Sequence, residues 1–250
     1  MTTETSIPFF YRISETIRRR IDSDIYQAGE LIPSEKELEK EFSVSSITIR
    51  KALDLLVRDG LVIRGRGVGT KVLKREKDRM SINITGNFRD WFDSASGNFP
   101  KLEIEVLDIG LTSCPERIRK ILDVPKDFQI WRMERVRKHR GEVVSYYQNY
   151  GLPELFDQFN LKTFKKCSFF EVLRTRCGVE VGKIDQTIEA TIADIELSSI
   201  LDVKFGDPLF FGENIYYDKR HSPLEVTHMY YRGDRYTYEA TIQLTENTAE

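Results

Sequence analysis

The stretch SVSSITIRKALDLLVRDGLVIRGRGVGTKV, residues 43–72, constrains the fold more than any other part of this 250-residue chain. Up to Arg58 its apolar residues recur at helical spacing: Ile49, Ala52, Leu53 and Leu56 fall on one face, and Ser45 stands where an N-cap belongs. Gly60 sits where such a helix has to stop. Beyond it, LVIR and TKV read as short strands around GRGVG, whose glycines admit positive φ and bring the backbone close to a partner. A helix running directly into a basic, glycine-tipped hairpin is the predicted unit.

Two more helices are expected before it. PFFYRISETIRRRI spaces Phe10, Ile13, Ile17 and Ile21 for one buried face, with Pro8 at a position suited to a helix start. In GELIPSEKELEKEF, Ser34 and Glu37 form an S-x-x-E capping box that opens a short helix through Leu38 and Phe42. Helix, helix, helix and hairpin make a head spanning residues 1–73. With Ile49 at the centre of the buried face of the third helix, a turn of about 100° per residue puts Ile47, Arg50, Lys51 and Asp54 outward. Ser45, Ser46 and Thr48 crowd its N-terminus.

This set of side chains suits the major groove of DNA. Short hydroxyls and backbone N–H groups match phosphates, an arginine can hold guanine through two hydrogen bonds, and Ile47 can meet a thymine methyl. Arg64 and Arg66, beside Gly67, give the hairpin a cationic tip able to approach a phosphate or enter a minor groove. For Lys51 and Asp54 individually, a solvated face is the plain alternative. Charge agrees with a nucleic-acid partner: residues 1–75 hold fourteen Lys and Arg against eleven Asp and Glu, whereas the remainder holds 24 against 29.

From Lys74 the run KREKDR is charged and unpatterned, so residues 74–82 read as a linker and residues 83–250 as a second domain. That domain alternates as strands in LEIEVLDIG, FQIWRMERVRKH, EVVSYYQNYGL, EVGKIDQTIEATIA, PLFFGENIYYDK and LEVTHMYYRGDRYTYEATIQL. Helical patterns interrupt at PERIRKIL, SFFEVLRTR and DIELSSIL, which makes an α+β domain on a mainly antiparallel sheet. An internal echo supports this: RIRKILDVPKDFQIW and ELSSILDVKFGDPLFF each end a helix with Ile-Leu-Asp-Val, turn, and enter an aromatic strand. Two similar helix-plus-hairpin units are expected, with room for a cleft between them.

Cys114, Cys167 and Cys177 have neither CxxC spacing nor even number, and His139, His221 and His228 are scattered, so neither a disulfide framework nor a metal or other cofactor is suggested. No apolar run reaches eighteen residues and the N-terminal segment lacks the order of a signal peptide, so a cytoplasmic protein with no membrane partner is expected. On the FQIWRMERVRKH strand, alternation sends Arg135 and Arg137 to the same side with Met133. Two neighbouring guanidiniums suggest an anion between them; two surface arginines paired with carboxylates are the alternative.

The segment IPSEKELEKEFSVSSITIRKALDLLVRDGLVIRGRGVGTKV closely resembles the winged helix-turn-helix of GntR-family transcription regulators. The resemblance implies DNA contacts from Lys36, from Ser45, Ser46, Thr48 and Arg50 at the start of the third helix, and from Gly67 at the wing tip. Ser46 departs from the arginine frequent in the family, which suggests a modified operator. ERVRKHRGEVVSYYQNYGLP, SFFEVL, IDQTIEA and PLEVTHMYYRGDRYTYEA are similar to the UTRA effector-binding domain of the HutC-type branch, whose fold is that of chorismate lyase. That likeness implies an effector pocket from Arg135, Arg137, Tyr147, Ser168, Glu225 and Tyr231, with Gly86, Asn87 and Phe88 as a loop over the anion. Tyr147 departs from the glutamate common in sugar-phosphate binders. The family implies a homodimer on a palindromic operator, repressing transcription under control of a small anionic metabolite. A lyase-like enzyme is the rival reading, against which stands the lack of a nucleophile–base pair in the sequence; a constitutive DNA binder with a second domain that only dimerises is a third.

Overall fold

The structure, a computed structural model, describes residues 7–73, 80–83, 102–156, 172 and 176–240. Two compact units divide between Lys77 and Asp78.

In the first unit, α1 (Phe9–Asp22) buries Ile13, Ile17 and Ile21, spaced by four, with Pro8 at its cap position. α2 (Glu35–Phe42) opens on the capping box: the Glu37 N–H donates to Ser34 Oγ while the Glu37 carboxylate accepts from the Ser34 N–H at 2.7 Å. It ends at Ser43, which takes the left-handed conformation usually given to glycine. α3 (Ser46–Arg58) presents Ile49, Ala52, Leu53 and Leu56 to the same core. Each fully buried Ile or Leu contributes about 1.5–3 kcal/mol, so this shared face holds the three helices together. Gly60 closes α3 with a φ of +65°. Its N–H reaches the Val57 carbonyl at 3.0 Å and the Leu61 N–H the Leu56 carbonyl at 2.9 Å, a Schellman ending that returns Leu61 to the core.

β1 (Val62–Gly65) and β2 (Gly69–Val72) then pair antiparallel as the expected wing, with Gly67 at a φ of +77° in the turn. Residues before α2 add a third edge that the sequence did not announce: the Ile32 N–H donates to the Thr70 carbonyl and the Val72 N–H to the Glu30 carbonyl, both at 2.9 Å.

The second unit is built on a six-stranded antiparallel sheet in the order β4-β5-β6-β9-β8-β7. Its strands are β4 (Glu103–Ser113), β5 (Gln129–His139), β6 (Glu142–Gly151), β7 (Val181–Ile192), β8 (Pro208–Asp218) and β9 (Pro223–Arg232). α4 (Glu116–Leu122) leads into β5 and α6 (Ile195–Leu201) into β8. The echo in the sequence is a structural repeat: both helices end on an aspartate, Asp123 and Asp202, at a φ of 52°, each donating its N–H to the residue four back. β6 and β9 join the two halves at the centre of the sheet.

α5 (Pro153–Phe156) inserts Phe156 against Trp131, ring centroids 4.9 Å apart. Gly151 makes room for it, since a Cβ there would stand 2.2 Å from the Phe156 ring. Two expectations are corrected. The last predicted strand breaks at Arg232 and resumes as β10 (Tyr236–Glu239), because Gly233–Asp234–Arg235 form a turn in which the Arg232 guanidinium clasps Asp234 at 2.9 Å. Residues 80–82, assigned to the linker, belong to β3 (Met80–Asn83), which pairs parallel with β10 and buries Met80 and Ile82 beside Tyr236. The predicted helix at SFFEVLRTR falls largely outside the described residues.

Candidate nucleic-acid interface and effector site

At the exposed start of α3, Ser45 occupies the cap position, but its hydroxyl pairs with that of Thr48 at 3.0 Å and makes no side-chain bond to the helix N–H groups. The Thr48 and Ile49 N–H groups donate to the Ser45 carbonyl at 3.0 and 3.2 Å, so it is the N–H groups of Ser46 and Ile47 that face an approaching anion. Ile47 is 67% exposed, too much for an apolar residue with a core role. Lys36, on α2, and Arg66 and Gly67, at the wing tip, are exposed, and Ser46 is half-buried.

The arginines are not free cations. Arg50 Nε donates to Glu35 Oε2 at 2.8 Å, and this carboxylate lifts the Arg50 pKa above its ordinary value. Arg64, expected at the wing tip, turns toward α3 instead, donating to Asp54 Oδ1 at 2.7 Å and to the Arg50 carbonyl at 3.1 Å. Strand alternation explains the difference: Arg64 lies on β1, whereas Arg66 is in the turn beyond it.

In the second unit, strand register fixes which side chains meet. Arg135 lies opposite Tyr147 and Arg137 opposite Ser145 across β5 and β6; Ser145 faces Tyr231 and Gly151 faces Glu225 across β6 and β9. Directly paired residues share a sheet face, so Arg135, Arg137, Tyr147, Tyr231 and Glu225 converge on one side. Both guanidiniums flank the Tyr147 ring, at 5.1 Å for Arg135 and 4.5 Å for Arg137. The aromatic face thus takes over part of the neutralisation a carboxylate would provide.

Arg135 is 4% exposed, and its Nε and Nη1 have no hydrogen-bond partner. Burial, followed by repulsion from Arg137, draws its pKa down to about 10. Among the described residues neither arginine forms an ion pair, which tells against the alternative of surface arginines held by Glu or Asp.

Two strands away lies a buried acceptor group. Glu225 Oε1 accepts from Asn149 Nδ2 at 2.9 Å and from the Thr227 hydroxyl at 2.7 Å, while Glu225 Oε2 and Asn149 Oδ1 have no partner. Burial pushes the Glu225 carboxyl up to about 8. The Tyr231 hydroxyl donates to Met229 Sδ at 3.1 Å, and Ser145 Oγ lies 3.3 Å from the Tyr236 hydroxyl. Ser145, Asn149, Thr227 and Tyr236 were missed from the sequence, although the first three stand two residues from Tyr147 or Glu225 and alternation places them on the same face. Gly86, Asn87, Phe88 and Ser168 lie outside the described residues. No helix among the described residues is long and apolar enough to cross a membrane.

Known proteins match both units. The UTRA domain family matches residues 101–237, more than half of the chain, and the bacterial regulatory proteins of the gntR family match residues 11–72. The chain belongs to the GntR family, in the branch that carries a UTRA domain, and is a DNA-binding transcription regulator rather than an enzyme. The HTH-type transcriptional repressor NagR of Bacillus subtilis is 26% identical over 94% of this chain and 95% of its own length. The HTH-type transcriptional regulator TreR of the same strain is 27% identical over 92% and 94%. Among solved structures, PhnF from Mycobacterium smegmatis is similar in fold, with a TM-score of 0.55 at 23% identity over 93% of this chain and 100% of that one.

Proposed function

We propose that this regulator is a cytoplasmic repressor that binds a palindromic operator as a homodimer and is released or retained by a small acid bound on the sheet face of its second unit. On each half-site α3 enters the major groove with Ser45, Ser46, Thr48 and Arg50 leading, while Arg66 and Gly67 of the wing approach the adjacent minor groove. Lys36 adds a phosphate contact. The residues that lead from the wing into β3 transmit the effector's presence.

The observation that carries the effector reading is Arg135: a buried guanidinium with two unpartnered nitrogens beside a second arginine. Leaving such donors unmade is costly, and an anion relieves that cost along with the repulsion between the two cations. The unpartnered oxygens Asn149 Oδ1, an acceptor, and Glu225 Oε2, which carries the carboxyl proton near neutral pH, favour an acid that also bears hydroxyl groups able to donate and accept. Tyr147 and Tyr231 supply flat walls for its body.

A thermal-shift screen of the full-length protein against sugar phosphates, amino acids and aromatic acids tests this, because a ligand that binds only the folded state raises the midpoint through RT ln(1 + [L]/Kd). A hydroxylated acid is expected to raise Tm in the wild type and not in Arg137→Ala. A shift of the same size in both would remove the pocket assignment.

A further inference from the structure

We infer that Glu35 and Asp54, two carboxylates within the DNA-binding face, are specificity-determining residues that hold Arg50 and Arg64 away from phosphates and so weaken binding to DNA of arbitrary sequence. The inference rests on the reading that α3 and the wing contact DNA. Its physical basis is one continuous ion chain. Glu35, the first residue of α2, reaches Arg50 of α3 at 2.8 Å and Arg64 of β1 at 3.8 Å. Arg64 in turn pairs with Asp54 of α3 at 2.7 Å and braces the Arg50 carbonyl. The chain Arg50–Glu35–Arg64–Asp54 thus ties three elements together and carries no net charge.

Stability alone does not account for it. The Arg50 side chain is 62% exposed and that of Asp54 57%, and pairs this exposed to water and salt stabilise a fold little. Their larger consequence concerns what approaches from solvent. A phosphate nearing Arg50 or Arg64 has to displace a carboxylate and then sit beside its negative charge. Non-specific binding consists almost wholly of phosphate contacts, so it bears this penalty in full. A correct base pair compensates, because Arg50 leaving Glu35 gains two hydrogen bonds to a guanine edge. Glu35 is kept in place meanwhile by the N-terminal end of α2, where an anion is favoured. A positioned arginine that must be exchanged for a base discriminates better than a free one.

The test uses fluorescence anisotropy on the full-length protein with two duplexes: one selected by the wild type from a random pool, and a scrambled duplex of equal length and composition. Glu35→Gln is expected to tighten binding to the scrambled duplex by about tenfold, with a salt slope steeper by about one for each phosphate newly neutralised. Binding to the selected duplex tightens less, so the ratio of the two affinities falls severalfold. Asp54→Asn, which removes one of the two carboxylates facing Arg64 and leaves Glu35 at the start of α2 intact, is expected to move both quantities the same way by a smaller factor. An unchanged ratio and slope in both variants overturns the inference, as does an equal loss on both duplexes, which marks a purely structural role. Arg50→Ala separates this from the underlying reading: if it binds the selected duplex like wild type, the DNA-contact assignment itself fails, whereas loss of selected binding beside an unchanged Glu35→Gln ratio removes only the role given to the carboxylates.

Discussion

At the scale of single residues, the sheet face of the second unit holds two side chains in forms that cost the ligand-free protein stability. Arg135 is one. Replacing it with Met removes a buried, unpaired cation while keeping the apolar stem, and is expected to stabilise the ligand-free protein by about 1 kcal/mol or more while abolishing its response to any acid. Urea unfolding with and without ligand reads both effects. Glu225 is the other. Its carboxyl is raised to about 8 from an ordinary 4.5, so between those pH values the folded chain binds more protons than the unfolded one. Stability attributable to this group is therefore fully present below about pH 4.5 and declines as pH climbs toward 8. Glu225→Gln removes that slope, and the difference in unfolding free energy between variant and wild type should shift in favour of the variant from pH 5 to pH 8. Parallel profiles would contradict the assignment. A ligand donor placed against Oε2 lowers this pKa and shifts the slope in the opposite sense.

Elements were legible in the sequence wherever a period and a stop coincide. α2 and α3 show both: apolar spacing, a capping box, and Gly60 in a Schellman ending. Gly60→Ala forces an alanine to a φ of +65° with no steric contact to blame, so a loss of about 1 kcal/mol in unfolding free energy is expected from backbone conformation alone. Gly151→Ala is a different case, since its Cβ meets the Phe156 ring; it should cost more and change the near-ultraviolet circular dichroism of the Trp131–Phe156 stack. β3 was not legible, because four residues after a charged run carry no usable period and its pairing with β10 is a contact across 156 positions, as Met80 to Tyr236 shows. The direction of Arg64 was equally hidden. Composition says that a basic wing exists, but only strand register says which arginine turns back onto α3. The pocket stood in between: Arg135 and Arg137 followed from alternation and Tyr147, Glu225 and Tyr231 from family likeness, while Asn149 required the cross-strand register to join Glu225.

For the whole molecule, the division into a DNA-binding unit and a sheet unit that repeats its own helix and hairpin suits a one-component regulator, in which one chain both senses and acts. An effector shifts such a protein only by its difference in affinity for the DNA-competent and incompetent states. On the effector reading proposed above, this difference passes through Arg135 and Arg137. It is tested most directly by measuring the anisotropy-derived Kd for a selected operator duplex, for wild type and Arg137→Ala, with and without an acid that raises the wild-type Tm. The acid is expected to change the wild-type Kd by tenfold or more, about 1.4 kcal/mol of coupling, while Arg137→Ala binds the duplex as tightly as the ligand-free wild type and ignores the acid. An equal response in both proteins would contradict it.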